Sequence, residues 1–374
     1  MRILICPQEF KGSLTAREAA EAIAAGLSRV LPDAEFEVAP VADGGPGTVD
    51  AILSSAPGHL ENAIVHDPLG RSVEAAWGLL DDSTGVIEMA GASGLVLLAP
   101  DERDPRLTST YGTGELIREA LEKGCLRLIV GIGGSATNDA GAGMAQALGI
   151  RLLDASGREL PPGGAALAAL DRIEASGLDP RLRQVEIIAA SDALNPLCGP
   201  TGASFVYGPQ KGATQDIAAE LDAALQHLAE IVRNDLDVDI EALPGAGAAG
   251  GLGGGLVAFL RARIVSGAEL VAEAISLPER ITHADIVVTG EGKLDSQTAY
   301  GKSISVVARL AKAAGKPVIA FAGSHEGNGV VDVVVPIATG PMTEAEMFKQ
   351  ARSLLSSAAE RTGGLLLLGQ ELFR

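Results

Sequence analysis

The chain is short of aromatic side chains, cysteine, histidine and positive charge, and each shortage narrows what it can be. Phe, Tyr and Trp make up 3% of it, so its interior has to be filled mainly with Ala, Val, Ile and Leu. Three cysteines, Cys6, Cys125 and Cys198, are odd in number and too widely spaced for a zinc pattern. They read as reduced thiols in a reducing compartment. Lys and Arg total 29 against 48 Asp and Glu, a net charge of −19 that repels nucleic acid and anionic membrane surfaces. No run approaches the roughly 20 apolar residues that span a bilayer. Glu9, Lys11, Arg17, Glu18 and Glu21 interrupt the first thirty residues, which rules out a secretory core there and makes the cytoplasm the expected location. His59, His66, His227, His283 and His325 are dispersed, and no G-x-S-x-G turn is present, so hydrolytic triads are disfavoured.

Glycine, by contrast, is abundant, with 47 residues. Together with a length of 374 residues, this suits two α/β domains joined by many strand-to-helix turns. Arg2 to Cys6 reads as a buried strand, and Thr15 as the cap of a helix carrying Ala20, Ile23, Ala24 and Leu27 at helical spacing. Phe36 to Val41 is a second strand, followed by a helix to about Ser54. Asn62 to His66, Ser72 to Leu80 and Gly85 to Met89 succeed one another with no room for helices, so they should pair antiparallel. Strands at Leu126 to Val130 and Val185 to Ala190 come next, then a polar helix from Asp216 to Asn234 and one ending near Ile264. Parallel alternation resumes with strands at Asp285 to Thr289, Val318 to Ala322 and Val331 to Ile337, and helices at Ile304 to Ala314 and from Glu344. The expected architecture is a doubly wound parallel-sheet domain made of residues 1–60 and 285–374, with a mixed-sheet α/β domain of residues 61–284 inserted in it.

Open α/β sheets bind ligands beyond the carboxyl ends of their strands. Six segments lie just after predicted strands: Gln8 to Ser13, Ala42 to Gly45, Gly133 to Asp139, Ser191 to Pro196, Gly290 to Thr298 and Gly323 to His325. Five of the six carry a carboxylate and two carry a lysine. In the third, Gly133, Gly134, Ser135, Thr137, Asn138 and Asp139 read either as a bare-backbone anion site at a helix start or as a plain tight turn capped by Thr137 or Asp139. Glycine loops, carboxylates and lysines are the parts of a phosphoryl-transfer site, in which Mg²⁺ is shared between carboxylates and phosphate oxygens. The common nucleotide signatures fail, however. Gly301-Lys302-Ser303 ends like a P-loop, but Ser296 stands where the first glycine is needed, and Gly245 to Gly250 matches G-x-G-x-x-G with no strand evident before it.

At these segments the sequence resembles the type 1 glycerate kinase family along essentially its whole length. The matching stretches are Phe10 to Leu14, Ala42 to Gly45, Gly131 to Met144, Asn195 to Pro200, Gly208 to Ala213, Pro244 to Gly253 and Thr289 to Thr298. The resemblance implies ATP-dependent phosphorylation of D-glycerate with Mg²⁺ to give 2-phosphoglycerate, in two α/β domains with the active site in the cleft between them. It casts Lys11 and Ser13 as contacts for the glycerate carboxylate or the transferred phosphoryl group. Asp43 and Asp192 become metal ligands or orient the acceptor hydroxyl. The 133–139 loop and Asn195 hold substrate or phosphate, Lys211 is a second phosphate contact, and Gly290, Glu291, Lys293 and Asp295 lie near the transferring phosphate. Two departures stand out: Gln8 and Glu9 replace the family's Asp-Ser, and Pro46 replaces a glutamate. They leave open a kinase for another small hydroxy acid and a non-catalytic metabolite-binding relative. A homodimer is compatible with the sequence.

Overall fold

Thirteen strands order the computed structural model, which describes residues 1–294, 303–326 and 330–372. The first six are β1 (Arg2–Ile5), β2 (Glu35–Val38), β3 (Gly58–His66), β4 (Ser72–Leu80), β5 (Thr84–Glu88) and β6 (Arg127–Gly131). After them come β7 (Arg151–Leu153), β8 (Arg172–Glu174), β9 (Glu186–Ala190), β10 (Arg263–Val265), β11 (Ile286–Leu294), β12 (Val318–His325) and β13 (Val333–Pro336). The chain divides into two compact units, one of residues 1–43, 50–56 and 268–374, the other of residues 44–49 and 57–267. Residues 268–284, with the helices Gly267–Ala274 and Leu277–His283, thus fall mostly with the first unit.

The first unit is built on a five-stranded sheet in the order β13-β12-β11-β1-β2, parallel throughout. Chain order runs outward in opposite directions from the β1/β11 pair, which makes that pair the switch point where open parallel sheets leave room for ligands. Helix Ala16–Ser28 covers the sheet because its apolar residues recur on one face, burying Ala19, Ala20, Ile23 and Leu27. Thr15 and Glu18 begin it as a reciprocal capping box. It packs along the final helix, Glu344–Leu372, closely enough that Gly26 leaves no room for a Cβ beside the Ser356 carbonyl. Ile3, Ile5, Val288, Phe321, Leu355 and Ala359 belong to this core.

The second unit holds a six-stranded mixed sheet, β10-β9-β6-β5-β4-β3. β3, β4 and β5 pair antiparallel as their short connections require, and β5, β6, β9 and β10 run parallel. A separate hairpin joins β7 to β8. Helix Gln215–Leu236 buries Leu221, Leu225, Leu228 and Val232 against this unit's core, which includes Trp77, Met89, Leu116, Met144 and Phe259.

Three sequence expectations change. The strand expected at Asp285 to Thr289 runs on to Leu294, because residues 290–294 keep pairing with β12, so Gly290, Glu291 and Lys293 are strand residues and not loop residues. Gly323, Ser324 and His325 are likewise in β12. The stretch read as a helix reaching Ile264 ends at Leu260 and yields to β10, the turn being made by Arg261 at φ 57°.

Candidate active site

Within the first unit, the residues singled out from sequence gather at the carboxyl ends of the central strands. The backbone leaving β1 stays tied to β11: the Cys6 amide donates to Val288 O, and the Gln8 amide donates to Gly290 O. Thr289 Oγ1 donates to Cys6 O at 2.8 Å. This stitching sets Gln8, Glu9 and Lys11 beside Gly290 and Gly292, and Gly292 lies against the backbone of Phe10 and Lys11. Gln8, 5% exposed, donates from Nε2 to Asp43 Oδ2 at 2.8 Å. Because a carboxylate only accepts, this bond fixes the amide's orientation. Gln8 Oε1 is left buried with no partner among the described residues. Burial pushes the Glu9 carboxyl above the ordinary glutamate range, Lys11 pulls it back, and Asp43 adds to the rise. Lys11 and Lys293 are exposed, and Glu291 is buried. Ser13 turns inward on its own loop, donating to Phe10 O at 2.8 Å. Asp295 lies outside the described residues.

The second unit's residues gather at the carboxyl ends of β6 and β9. Gly133 is packed so tightly that a Cβ would stand 2.5 Å from Gly45 Cα, while its amide donates to Gly44 O at 2.9 Å. These glycines therefore let two backbones touch, the plainer of the two readings. Gly134 is exposed at φ 78° and faces Pro46, the residue that replaces an acid. The loop does not open into a helix-start anion site. The helix Ala142–Ala147 begins eleven residues after β6, and its entry amides are already taken by Asp139. Fully buried Asp139 accepts from Thr110 N and Thr110 Oγ1 at 2.8 Å, from Gly143 N at 3.2 Å and from Gly141 N at 3.3 Å. Burial raises its carboxyl above the usual aspartate range, against the pull of those donors.

Lys211 reaches the same loop from behind, with Nζ 2.7 Å from Ser135 Oγ and 2.6 Å from Thr137 O, at 1% exposure. Asn138 Nδ2 donates to Ser204 Oγ at 3.0 Å. The G-x-G-x-x-G stretch supports this loop structurally: a Cβ on Gly250, at φ 70°, would stand 1.9 Å from Thr137 O. Beyond β9, Asp192 Oδ1 accepts from Ser266 Oγ at 2.6 Å. Asn195 is spent on its own turn, donating to Thr201 O at 2.8 Å and accepting from Tyr207 OH at 2.6 Å.

The two carboxylates named as metal ligands, Asp43 and Asp192, accept side-chain hydrogen bonds from Gln8 and Ser266 and are of the hard oxygen type that Mg²⁺ takes. Among the described residues no three His, Cys, Asp or Glu side chains converge as a metal-holding group. A groove of about 880 Å³ lined by Lys312, Lys316, Val318 and Asp332 opens at the amino ends of β12 and β13, the wrong end of a parallel sheet for substrate. Arg103 escapes a sequence reading because Asp101, Glu102 and Asp104 surround it like surface ion-pair partners. In the fold its Nε is buried and unpartnered among the described residues.

Residues 3–367 match the family model described as the glycerate kinase family. The chain belongs to that family. A glycerate 2-kinase of Escherichia coli K12 is 47% identical over 99% of both chains. A glycerate kinase of Bacillus subtilis 168 is 46% identical over the full length of both. Among solved structures, a candidate glycerate kinase 2 from Salmonella typhimurium LT2 superposes with a TM-score of 0.86 at 45% identity, covering 99% of each chain. This glycerate kinase family member is accordingly a kinase with the family's mixed α/β fold, and none of its described helices is long and apolar enough to cross a membrane.

Proposed function

We propose that the protein transfers the γ-phosphoryl group of ATP to the 2-hydroxyl of D-glycerate, giving 2-phosphoglycerate. The observation that carries this reading is the 47% identity, over 99% of both chains, to a relative named glycerate 2-kinase. Lys11, Asp43 and Asp192 lie in the segments after β1, β2 and β9, and Lys293 is the penultimate residue of β11.

Each residue has a task set by its surroundings. Lys11 and Lys293, exposed on the first unit, meet the negative charge of carboxylate and phosphoryl oxygens. Asp43 on the first unit, held by Gln8, and Asp192 on the second, held by Ser266, each offer a carboxylate of the kind that would hold Mg²⁺, which would supply charge neutralisation on the transferred group. Glu9, whose carboxyl is raised above the ordinary glutamate range by burial, is a candidate to exchange a proton with the acceptor hydroxyl. Asp295, two residues beyond Lys293 in the sequence, joins this set. Gly134 and Ser135 present the second unit's contact, while Asp139 and Asn195 order the turns behind it.

The test is turnover of D-glycerate by purified protein with Mg-ATP, monitored by ADP release, across a panel that includes lactate, glycolate and tartronate. Asp192→Asn and Asp295→Asn should each lower kcat by about 10²-fold or more while leaving the melting temperature in place. Near-wild-type kcat in both variants removes them from the reaction. Gln8 is the specific ground for a second reading, a kinase of another hydroxy acid, because its Oε1, unpartnered among the described residues, sits where the family resemblance calls for a carboxylate. A panel member turned over faster than glycerate would establish that reading.

A further inference from the structure

Lys211 is a buried cation whose two hydrogen-bond partners are neutral. Its ammonium donates to Ser135 Oγ and to the Thr137 carbonyl, and no carboxylate pairs with it among the described residues. A charge so placed is costly unless something nearby supplies the opposite sign. The direction of its bonds has a further consequence. An ammonium can only donate, so Ser135 Oγ is the acceptor, and the serine's own proton has to be turned away from Lys211. No acceptor for that proton exists among the described residues. Ser135 is 8% exposed and adjoins exposed Gly134, so its hydroxyl sits at the edge of the loop. One turn deeper, Thr137 Oγ1 and Asn138 Oδ1 are buried and also lack partners among the described residues.

We propose that Lys211 is a positioning residue that turns the Ser135 hydroxyl outward as a donor to an anionic oxygen of a substrate, so that binding of that oxygen is linked to the proton on Lys211. The proposal rests on the kinase reading above and deepens it. Two sources carry such an oxygen, the carboxylate of the hydroxy acid and a phosphate of the nucleotide.

The linkage has a definite sign. Burial pulls the Lys211 ammonium down to about 7, against the attraction of Asp139. The charged group that bears on it is Asp139, whose carboxylate is engaged by Thr110, Gly141 and Gly143. Below pH 7 the ammonium holds Ser135 as an outward donor. Above it, the neutral amine can accept the serine proton, the hydroxyl turns inward, and both the donor and the charge behind it are lost. A bound anion stabilises the charged amine and raises its pKa in the complex.

The experiment measures KM for D-glycerate at saturating Mg-ATP, and KM for ATP at saturating glycerate, from pH 6 to 9, in wild type, Ser135→Ala, Lys211→Met and Lys211→Arg. One of the two KM values in wild type should rise about tenfold between pH 6.5 and 8.5, and which one identifies the source of the oxygen. Ser135→Ala and Lys211→Met should lose that rise, whereas Lys211→Arg should keep a low KM that no longer depends on pH. An unchanged pH rise in Ser135→Ala overturns the proposal even if Lys211→Met fails to fold. Calorimetric titration of glycerate and of ATP onto wild type and Ser135→Ala separates this failure from failure of the kinase reading. Binding that varies with pH in wild type, and loses that variation in Ser135→Ala, supports the linkage without turnover; identical slopes in the two proteins refute it.

Discussion

Asp139 shows what a single residue's surroundings decide. Its carboxylate collects four donors in a buried loop, so Asp139→Asn would set an amide N–H₂ against backbone N–H groups that need an acceptor. The expected cost is about 3 kcal/mol, read as a fall in the melting temperature of several degrees. An unchanged melt would show that the four bonds are not what holds the turn. Sequence places Asp139 in the segment beyond β6 but cannot say that its oxygens point back at Thr110, because Thr110 is twenty-nine residues away and only the fold joins them. Lys211 is legible as a lysine suited to phosphate chemistry, yet its burial behind Ser135 depends on the contact between Gly212 and Arg103. Thr15 and Glu18, three residues apart, are fully local, and the cap forms as written. Thr15→Ala should cost about 1 kcal/mol. The Thr15 amide and hydroxyl hold the Glu18 carboxyl below the usual glutamate range. That contribution is present above the unfolded glutamate pKa and is lost as pH falls through the lower folded value. The gap between urea melts of wild type and Thr15→Ala should therefore narrow in acid to the part set by the Glu18 amide bond to Thr15 Oγ1, and a constant gap would contradict the pairing.

At the scale of elements, period-2 and period-3.6 patterns mark the strands and helices that bury one face, including the β3-β4-β5 meander, whose connections are too short to cross over. The helix Tyr111–Glu122 escapes such a reading because Gly112 and Gly114 depress its local propensity. Packing overrides propensity there: a Cβ at Gly112 would stand 1.9 Å from His66 O, and one at Gly114 would stand 2.5 Å from Met144 O. The hairpin β7-β8 escapes it because strands of three residues carry too little alternation to register. Glycines of equal backbone strain should separate by what surrounds them. Gly250 and Gly47 both have positive φ, 70° and 90°, but only Gly250 has a neighbour in the way of a Cβ. Gly47→Ala should cost about 1–2 kcal/mol from conformation alone. Gly250→Ala should be the more destabilising of the two by a further ~1–3 kcal/mol, since it also displaces the loop at Thr137. Equal melting temperatures would mean that the 244–253 segment yields freely.

For the molecule as a whole, composition sets the class and the motifs set the family. A charge of −19 makes every anion site a local exception, which is why the few cations at strand ends can be read as functional from sequence. Sequence does not separate loop residues that face ligand from loop residues that hold the loop. That Asn195 and Asp139 hold their own turns is visible only in their hydrogen bonds to Thr201, Tyr207, Thr110, Gly141 and Gly143. The proposed phosphorylation of D-glycerate at its 2-hydroxyl is decided by the position of the new phosphate. Purified protein, Mg-ATP and D-glycerate should yield a product whose phosphorus couples in NMR to the single proton on C2, identifying 2-phosphoglycerate. Coupling to the two C3 protons, or no phosphorylated acid at all, would contradict the account.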